Sequence, residues 1–201
     1  MIDISHLSVF RGKREIIKDF SASIPSASIT AITGANGSGK STLLAALAGD
    51  LDYQSGEIKY SSQELREISL HEQSTIRSVV LQNQTYWLSF TAREVISMGQ
   101  DAASLTRIDS ILEVLDMKSF ADQAVTTLSG GQSQRVEIAR ALIRDTAVYL
   151  LDEPLSAQDS QSKKRIISYL ETLRDQGKAI LVIAHIDRDS LSWCDQVIDL
   201  L

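Results

Sequence analysis

The stretch SITAITGANGSGKSTLLAALAG, residues 28–49, decides the fold. Its first six residues, SITAIT, are apolar or β-branched and of strand length, which predicts a short buried strand. Then come Gly34, Ala35, Asn36, Gly37, Ser38, Gly39, Lys40, Ser41 and Thr42, a run that satisfies G-x-x-x-x-G-K-[ST]. Glycines in such a loop leave backbone N–H groups free to wrap a phosphate chain. A lysine at the place of Lys40 reaches the β- and γ-phosphates, and a hydroxyl at the place of Ser41 binds Mg²⁺. KSTLLAALAG reads as a helix stopped by Gly49. Strand, loop and helix in this order set the run apart from an ordinary Gly/Ser turn, which would not account for Lys40.

Outward from this unit the chain alternates. IDISHLSV and EIIKDFSASI read as two strands around a turn at Gly12, GEIKY as a short strand, and the β-branched IRSVVLQ as a core strand. From about residue 91 to 144 the pattern turns helical, with TAREVISMG, SLTRIDSILEVLD and a helix after LSGG. AVYLLDEP, KAILVIAH and DQVIDLL then read as strands, SQSKKRIISYLETLRDQG as a helix and DRDSLSWC as a short helix. Strands alternating with helices predict a mostly parallel α/β sheet, here with a helical insert between two halves of the core.

The length of 201 residues and 43% hydrophobic content suit one domain, with room for an inserted subdomain. A net charge of −6 disfavours nucleic acid as a partner, since non-specific binding needs basic surface. One cysteine, Cys194, allows no internal disulfide and fits a reducing compartment. No apolar run approaches the roughly 18 residues of a spanning helix. MIDISHLSVFRGK lacks the charged-then-apolar pattern of a signal peptide. The expectation is a cytosolic chain whose membrane role would need a partner, and whose end at Leu201 leaves no appended regulatory domain.

AVYLLDEP carries the second half of the chemistry. Acids at the C-terminal end of a buried parallel strand lie at the sheet's ligand-binding edge. Asp152 there would hold Mg²⁺, through water, and Glu153 would orient or deprotonate a water for attack on a γ-phosphate. LSGGQSQRVEIARAL, residues 128–142, looks like a second anion cradle, with Ser129 as N-cap and two bare glycine amides. An N-capped helix start would read the same way.

Taken together, these runs resemble the nucleotide-binding subunit of ATP-binding cassette (ABC) transporters over nearly the whole chain. GANGSGKST is similar to the Walker A loop and YLLDEP to Walker B with its catalytic glutamate. LSGGQ is similar to the family signature and SAQD, 156–159, to the D-loop. Gln82 follows SVVL where the Q-loop glutamine belongs, and His185 in VIAHID stands at the switch histidine.

The resemblance implies a P-loop NTPase (RecA-like) core with an N-terminal antiparallel β subdomain and an inserted α-helical subdomain. Residues 1–85 and 147–201 would form the ATP-binding core and 86–146 the signature subdomain. It implies Mg²⁺-dependent ATP hydrolysis by two copies packed head to tail. Ser129, Gly130, Gly131 and Gln132 of one copy would bind the γ-phosphate held by Lys40 of the other. Gln82 would be an Mg²⁺ ligand and γ-phosphate sensor, His185 would bond the γ-phosphate, and Asp159 would lie at the dimer seam. Each also has a plainer reading, as a strand-end polar residue, a core histidine and a helix cap. The family's adenine-stacking aromatic falls on Arg11 here, with Phe10 beside it, so the base contact stays open between those two residues.

The segment QNQTYWLSFTAREVISMGQ, 82–100, lies where the family docks its membrane subunit, and Tyr86, Trp87 and Phe90 are the aromatic candidates. SFTAREVISMGQ and AVTTLSGGQSQRVEIARAL resemble the importers of iron–siderophore, haem and cobalamin. In those, two identical ATPases serve multi-span permeases fed by a binding protein, on the cytoplasmic side of the membrane as peripheral subunits. A short haem-export ATPase of cytochrome c maturation and a soluble iron–sulfur assembly ATPase share the core motifs and stand as alternatives.

Overall fold

Parallel strands buried on both faces need continuous apolar sequence, and three segments of this chain supply it. The computed structural model describes residues 1–81, 89–185 and 188–200. Strands β3 (Ser28–Thr33), β7 (Val148–Asp152) and β8 (Ala179–Ile183) are buried at every position. They belong to a five-stranded sheet of order β6-β7-β8-β3-β9, with β6 (Arg77–Val80) and β9 (Gln196–Asp199) at its edges. β8 runs parallel to both neighbours, with Ala179 opposite Ser28 on one side and Val148 on the other. β9 runs parallel to β3.

A second, antiparallel sheet has the order β2-β1-β4-β5. It comprises β1 (Ile2–Arg11), β2 (Arg14–Ile24), β4 (Ser55–Tyr60) and the short β5 (Gln63–Glu64). The β1–β2 ladder shifts register three times between Ile4 and Phe10. His6 and Asp19 take left-handed backbone at these shifts, and their side chains pair at 2.7 Å. Helix α1 (Lys40–Leu47) follows the glycine loop. Its Leu43, Leu44 and Leu47 share one core cluster with Ile2, Leu7 and Ile24 of the antiparallel sheet and Leu150, Leu181 and Ile183 of the parallel one. Burial of such aliphatic side chains supplies roughly 1.5–3 kcal/mol each before entropy is counted.

The chain divides into two compact units. The first comprises Met1–Val79, Thr146–Glu153 and Leu173–Leu201, and the second Val80–Asp145 and Pro154–Thr172. In the second unit, α3 (Ala92–Ser97), α5 (Ile108–Val114) and α6 (Gly130–Leu142) pack together. Their buried faces carry Val95 and Ile96, Ile111 and Leu112, and Val136, Ile138 and Leu142. Thr91 with Glu94 closes a capping box on α3, and Ser129 with Gln132 closes one on α6. Each box satisfies amides that a helix start leaves bare. Helix α7 (Ser160–Asp175) begins in this unit and ends in the first.

Three sequence expectations need correction. The helix expected over SLTRIDSILEVLD is two, α4 (Ala102–Leu105) and α5, because Asp101 caps the first and Arg107 leaves helical geometry before the second. IRSVVLQ is not a central strand. β6 is an edge strand with alternating burial, as one-sided cover requires. The short helix expected over DRDSLSWC is a single 3₁₀ turn, Arg188–Leu191. The sequence reading also passed over α2 (Leu70–Ile76), although Ser69 and Glu72 form a capping box there.

Candidate active site

Parallel register brings the site together. β3, β8 and β7 end at one edge of the sheet, Ile32 and Asp152 both standing opposite Ile183 of the middle strand. The next residues of each strand are therefore neighbours: the loop from Gly34, Glu153 one step beyond β7, and His185 two steps beyond β8. Two further backbone bonds fix these exits, from Ala184 N–H to the Ile32 carbonyl at 3.0 Å and from Glu153 N–H to the Ile183 carbonyl at 3.2 Å.

The loop glycines are dictated by space and torsion. Gly39, at φ 103°, is the N-cap of α1, and a Cβ there would lie 2.8 Å from both Ile16 Cγ2 and Ile17 Cδ1. A Cβ at Gly34 would collide with the Leu200 carbonyl and the Ser38 hydroxyl. Lys40 is only 4% exposed and turns back over the loop. Its Nζ donates to the carbonyls of Gly34 at 2.8 Å and Ala35 at 3.0 Å. Burial lowers its pKa, and the nearby Glu153 and Asp152 carboxylates partly offset that.

Asp152 is 3% exposed. Burial raises its pKa, against a hydrogen bond from the Ser41 hydroxyl that favours the carboxylate. Its Oδ1 is buried without a hydrogen-bond partner. A buried carboxylate oxygen left unsatisfied costs free energy, and a hard cation relieves that cost. The donor set of Asp152 and Ser41 thus fits a magnesium ion.

Glu153 adopts φ 49°, the left-handed region that non-glycine residues rarely occupy and that clusters at functional sites. Its Oε1 lies 2.7 Å from Nε2 of His185, with the two side chains 12% and 35% exposed. His185 is therefore not a satisfied core histidine. It projects from the end of the middle strand onto the carboxylate. Gln82, Tyr86 and Trp87 lie outside the described residues. Phe90 is half-buried, and its carbonyl accepts from Val125 N–H at 2.8 Å.

Arg11 Nε donates to Thr42 Oγ1 at 3.2 Å, which draws the arginine against the first turn of α1. The Phe10 N–H is held by Gln54 Oε1 at 3.0 Å.

In the second unit, the Ser129 hydroxyl accepts from Gln132 N–H at 3.3 Å, and Gln132 Oε1 accepts from Ser129 N–H at 2.8 Å. Asp159 caps α7, accepting from the N–H groups of Gln161 and Ser162, both at 2.9 Å. Those bonds hold its carboxyl below the usual range. The residue that sequence reasoning missed is Gln158. It is 8% exposed and donates to the Gly131 carbonyl at 3.1 Å and to Gln134 Oε1 at 2.8 Å. No spacing rule flags a glutamine one place before a helix cap, since its partners lie some 25 residues earlier in the chain.

A glycine phosphate loop at the end of one parallel strand, with buried Asp152 and then half-buried Glu153 at the end of another, defines a P-loop NTPase. The fold has its RecA-like core, an antiparallel β subdomain and an inserted helical segment, and the enzyme class is ATPase. The family model described as ABC transporter matches residues 17–156. The hemin import ATP-binding protein HmuV of Rhodococcus jostii is 34% identical over 200 residues, which cover 96% of this chain and 68% of that protein. The zinc transport system ATP-binding protein TroB of Treponema pallidum is 30% identical over 208 residues, 98% of this chain and 77% of that one. A solved dimeric bacterial ABC transporter cassette superposes with a TM-score of 0.84 at 26% identity, covering 99% of this chain and 94% of that one. The chain belongs to the ABC transporter family and is one of its ATP-binding ATPases.

Proposed function

We propose that this chain is the ATP-hydrolysing motor subunit of an ABC importer. The observation that carries the reading is the gathering of the phosphate loop, Asp152, Glu153 and His185 at one edge of the parallel sheet. In this reading the amides of the 34–39 loop, with Lys40, Ser41 and Thr42, hold the phosphates of ATP. Ser41, Asp152 and Gln82 would hold Mg²⁺, Asp152 through water. Bound there, the ion neutralises charge on the β- and γ-phosphates. Glu153 polarises the attacking water, and His185 orients that carboxylate and steadies the γ-phosphate.

Two copies pack head to tail. The Gly130 and Gly131 amides of one copy, with its Ser129 and Gln132, complete the nucleotide site of the other, and Asp159 lies at the seam. A serine hydroxyl that accepts from Gln132 N–H still has its own proton to donate, so the capping box is compatible with phosphate binding. Hydrolysis then depends on closure of the dimer, and closure does mechanical work on a permease. Residues 1–85 and 147–201 serve as the ATP-binding core and 86–146 as the signature subdomain, with Tyr86 and Trp87 toward the permease.

The cargo in this reading is an iron chelate, haem or a related metal complex, delivered by a binding protein. SFTAREVISMGQ and the 34% identity to a hemin import protein support it. The chain would sit at the cytoplasmic face of the membrane as a peripheral subunit. Among the described residues no helix is long and apolar enough to cross a membrane. The test is an affinity pull-down of the tagged chain from detergent-solubilised native membranes. A multi-span permease in the eluate supports the motor reading and narrows the cargo. Soluble partners alone overturn it.

A further inference from the structure

The loop that precedes α7 is fastened to the start of α6 at three points. Gln158 Nε2 bridges the Gly131 carbonyl, at 3.1 Å, and Gln134 Oε1, at 2.8 Å. Gln134 Nε2 in turn donates to Ser156 Oγ at 3.4 Å. Between these bonds the two backbones touch: a Cβ on Gly131 would lie 2.6 Å from the Ala157 carbonyl oxygen, so only glycine admits this approach. The loop's far end is pinned to α7 by Asp159. Residues 156–159 and the first turn of α6 are thereby one piece of structure, and the buried Gln158 amide is its central tie.

A surface glutamine in such a loop would contribute little. Gln158 is different because its donor is buried and both its acceptors lie in the turn that exposes the Gly130 and Gly131 amides. The Gly131 carbonyl has a second lone pair beyond the one used within the helix, and Gln158 takes it up. Without the Gln158 amide both acceptors lose a donor and the tie between loop and helix is broken, so the turn would shift. A shift of a few tenths of an ångström is enough to misalign amides that bind charge developing in a transition state.

We propose that Gln158 is a positioning residue for the signature turn. It fixes the Gly130 and Gly131 amides to the 156–159 loop, so that both reach a second copy's nucleotide in one motion. This rests on the composite-site reading given above. The tie acts through Gly131 and leaves the chain's own phosphate loop untouched.

The experiment compares Gln158→Met, which keeps the shape without the donor, and Gln158→Glu, which sets a carboxylate against two acceptors. The full chain is used, with Ser129→Arg as reference. Nucleotide affinity is read by binding of a fluorescent ATP analogue, turnover at saturating ATP by phosphate release, and folding by thermal melting. The expected result is unchanged analogue affinity, with turnover per folded molecule down at least about tenfold in Gln158→Met and further in Gln158→Glu. Turnover per folded molecule within twofold of the parent, with Ser129→Arg silenced, overturns the role of Gln158 alone. Full turnover in Ser129→Arg overturns the composite-site reading and this proposal with it. Loss of turnover only in proportion to loss of folded protein assigns Gln158 to stability and also overturns the proposal.

Discussion

Replacing Gly39 and Gly37 separately by alanine divides the phosphate loop's demand for glycine into torsion and space. Both have positive φ, 103° and 81°. Forcing an L-residue into left-handed backbone costs about 1–2 kcal/mol. The stiffer unfolded chain of an alanine variant returns about 0.4–1 kcal/mol. For Gly37, whose Cβ would meet nothing within 4 Å, these two effects nearly cancel, leaving a loss of about 0.5–1 kcal/mol. For Gly39 the new methyl lies 2.8 Å from two isoleucine carbons, and overpacking of this kind adds about 1–3 kcal/mol. The expected total at Gly39 is about 3 kcal/mol, a large share of the ~5–15 kcal/mol that holds a typical domain. Urea titration followed by far-ultraviolet circular dichroism reads the difference. With a slope of ~2.5 kcal/mol per molar, the midpoint falls by about 1 M for Gly39→Ala and by less than ~0.5 M for Gly37→Ala. The titration is done without nucleotide, because a bound ligand adds its own stabilisation. Equal midpoints for the two variants would refute the packing of Ile16 and Ile17 beneath the loop.

The remaining predictions follow from single groups. Burial raises the Asp152 pKa, so the folded chain holds that proton more tightly than the unfolded chain. Its contribution to stability is therefore greatest below the unfolded pKa and falls as pH rises through the folded one. Asp152→Asn should raise the melting temperature of the nucleotide-free chain at pH 8 in chelator, and a lower one would contradict the burial argument. Glu153→Gln keeps the shape of the side chain, so ATP should still bind while hydrolysis stops and the closed dimer accumulates. Full phosphate release from that variant would remove Glu153 from the mechanism. Lys40→Ala should lose ATP binding in equilibrium dialysis, and unchanged affinity would overturn the phosphate-loop assignment. Burial and then Asp195 push the Cys194 thiol up to about 12. Iodoacetamide at pH 8 should therefore leave the native chain unlabelled and label it after denaturation, as mass spectrometry would show.

What could be read from sequence was what is local. The strand, loop and helix from Ser28 to Leu47 follow from consecutive residues, and their observed boundaries agree with that reading. The acids closing β7 were legible for the same reason, since an apolar run that ends in two carboxylates states its own geometry. What escaped depends on distant partners. Nothing around Gln158 indicates that Gly131 lies beside it. The edge position of β6 follows from strand order, which local pattern does not encode. The position of His185 after the apolar run AILVIA suggests a place near Glu153, but the bond itself depends on β7 and β8 being neighbours in register. The base contact was open between Phe10 and Arg11, and the bond from Arg11 to Thr42 places the arginine beside the phosphate loop.

The lysine of the phosphate loop is already occupied. Its ammonium group holds the carbonyls of Gly34 and Ala35, the rim of the cradle it serves. An incoming phosphate does not meet a bare cation. In the proposed function a phosphate would take over the bonds Lys40 makes to these two carbonyls, so binding would be an exchange of partners. The lysine is thus a placeholder. Its two bonds tie the side chain to the first residues of the loop. If the chain acts as the proposed motor, a departing phosphate would leave the lysine with these partners rather than as a stranded buried charge. The side chain that would bind the phosphate is thus also one that shapes the loop around it.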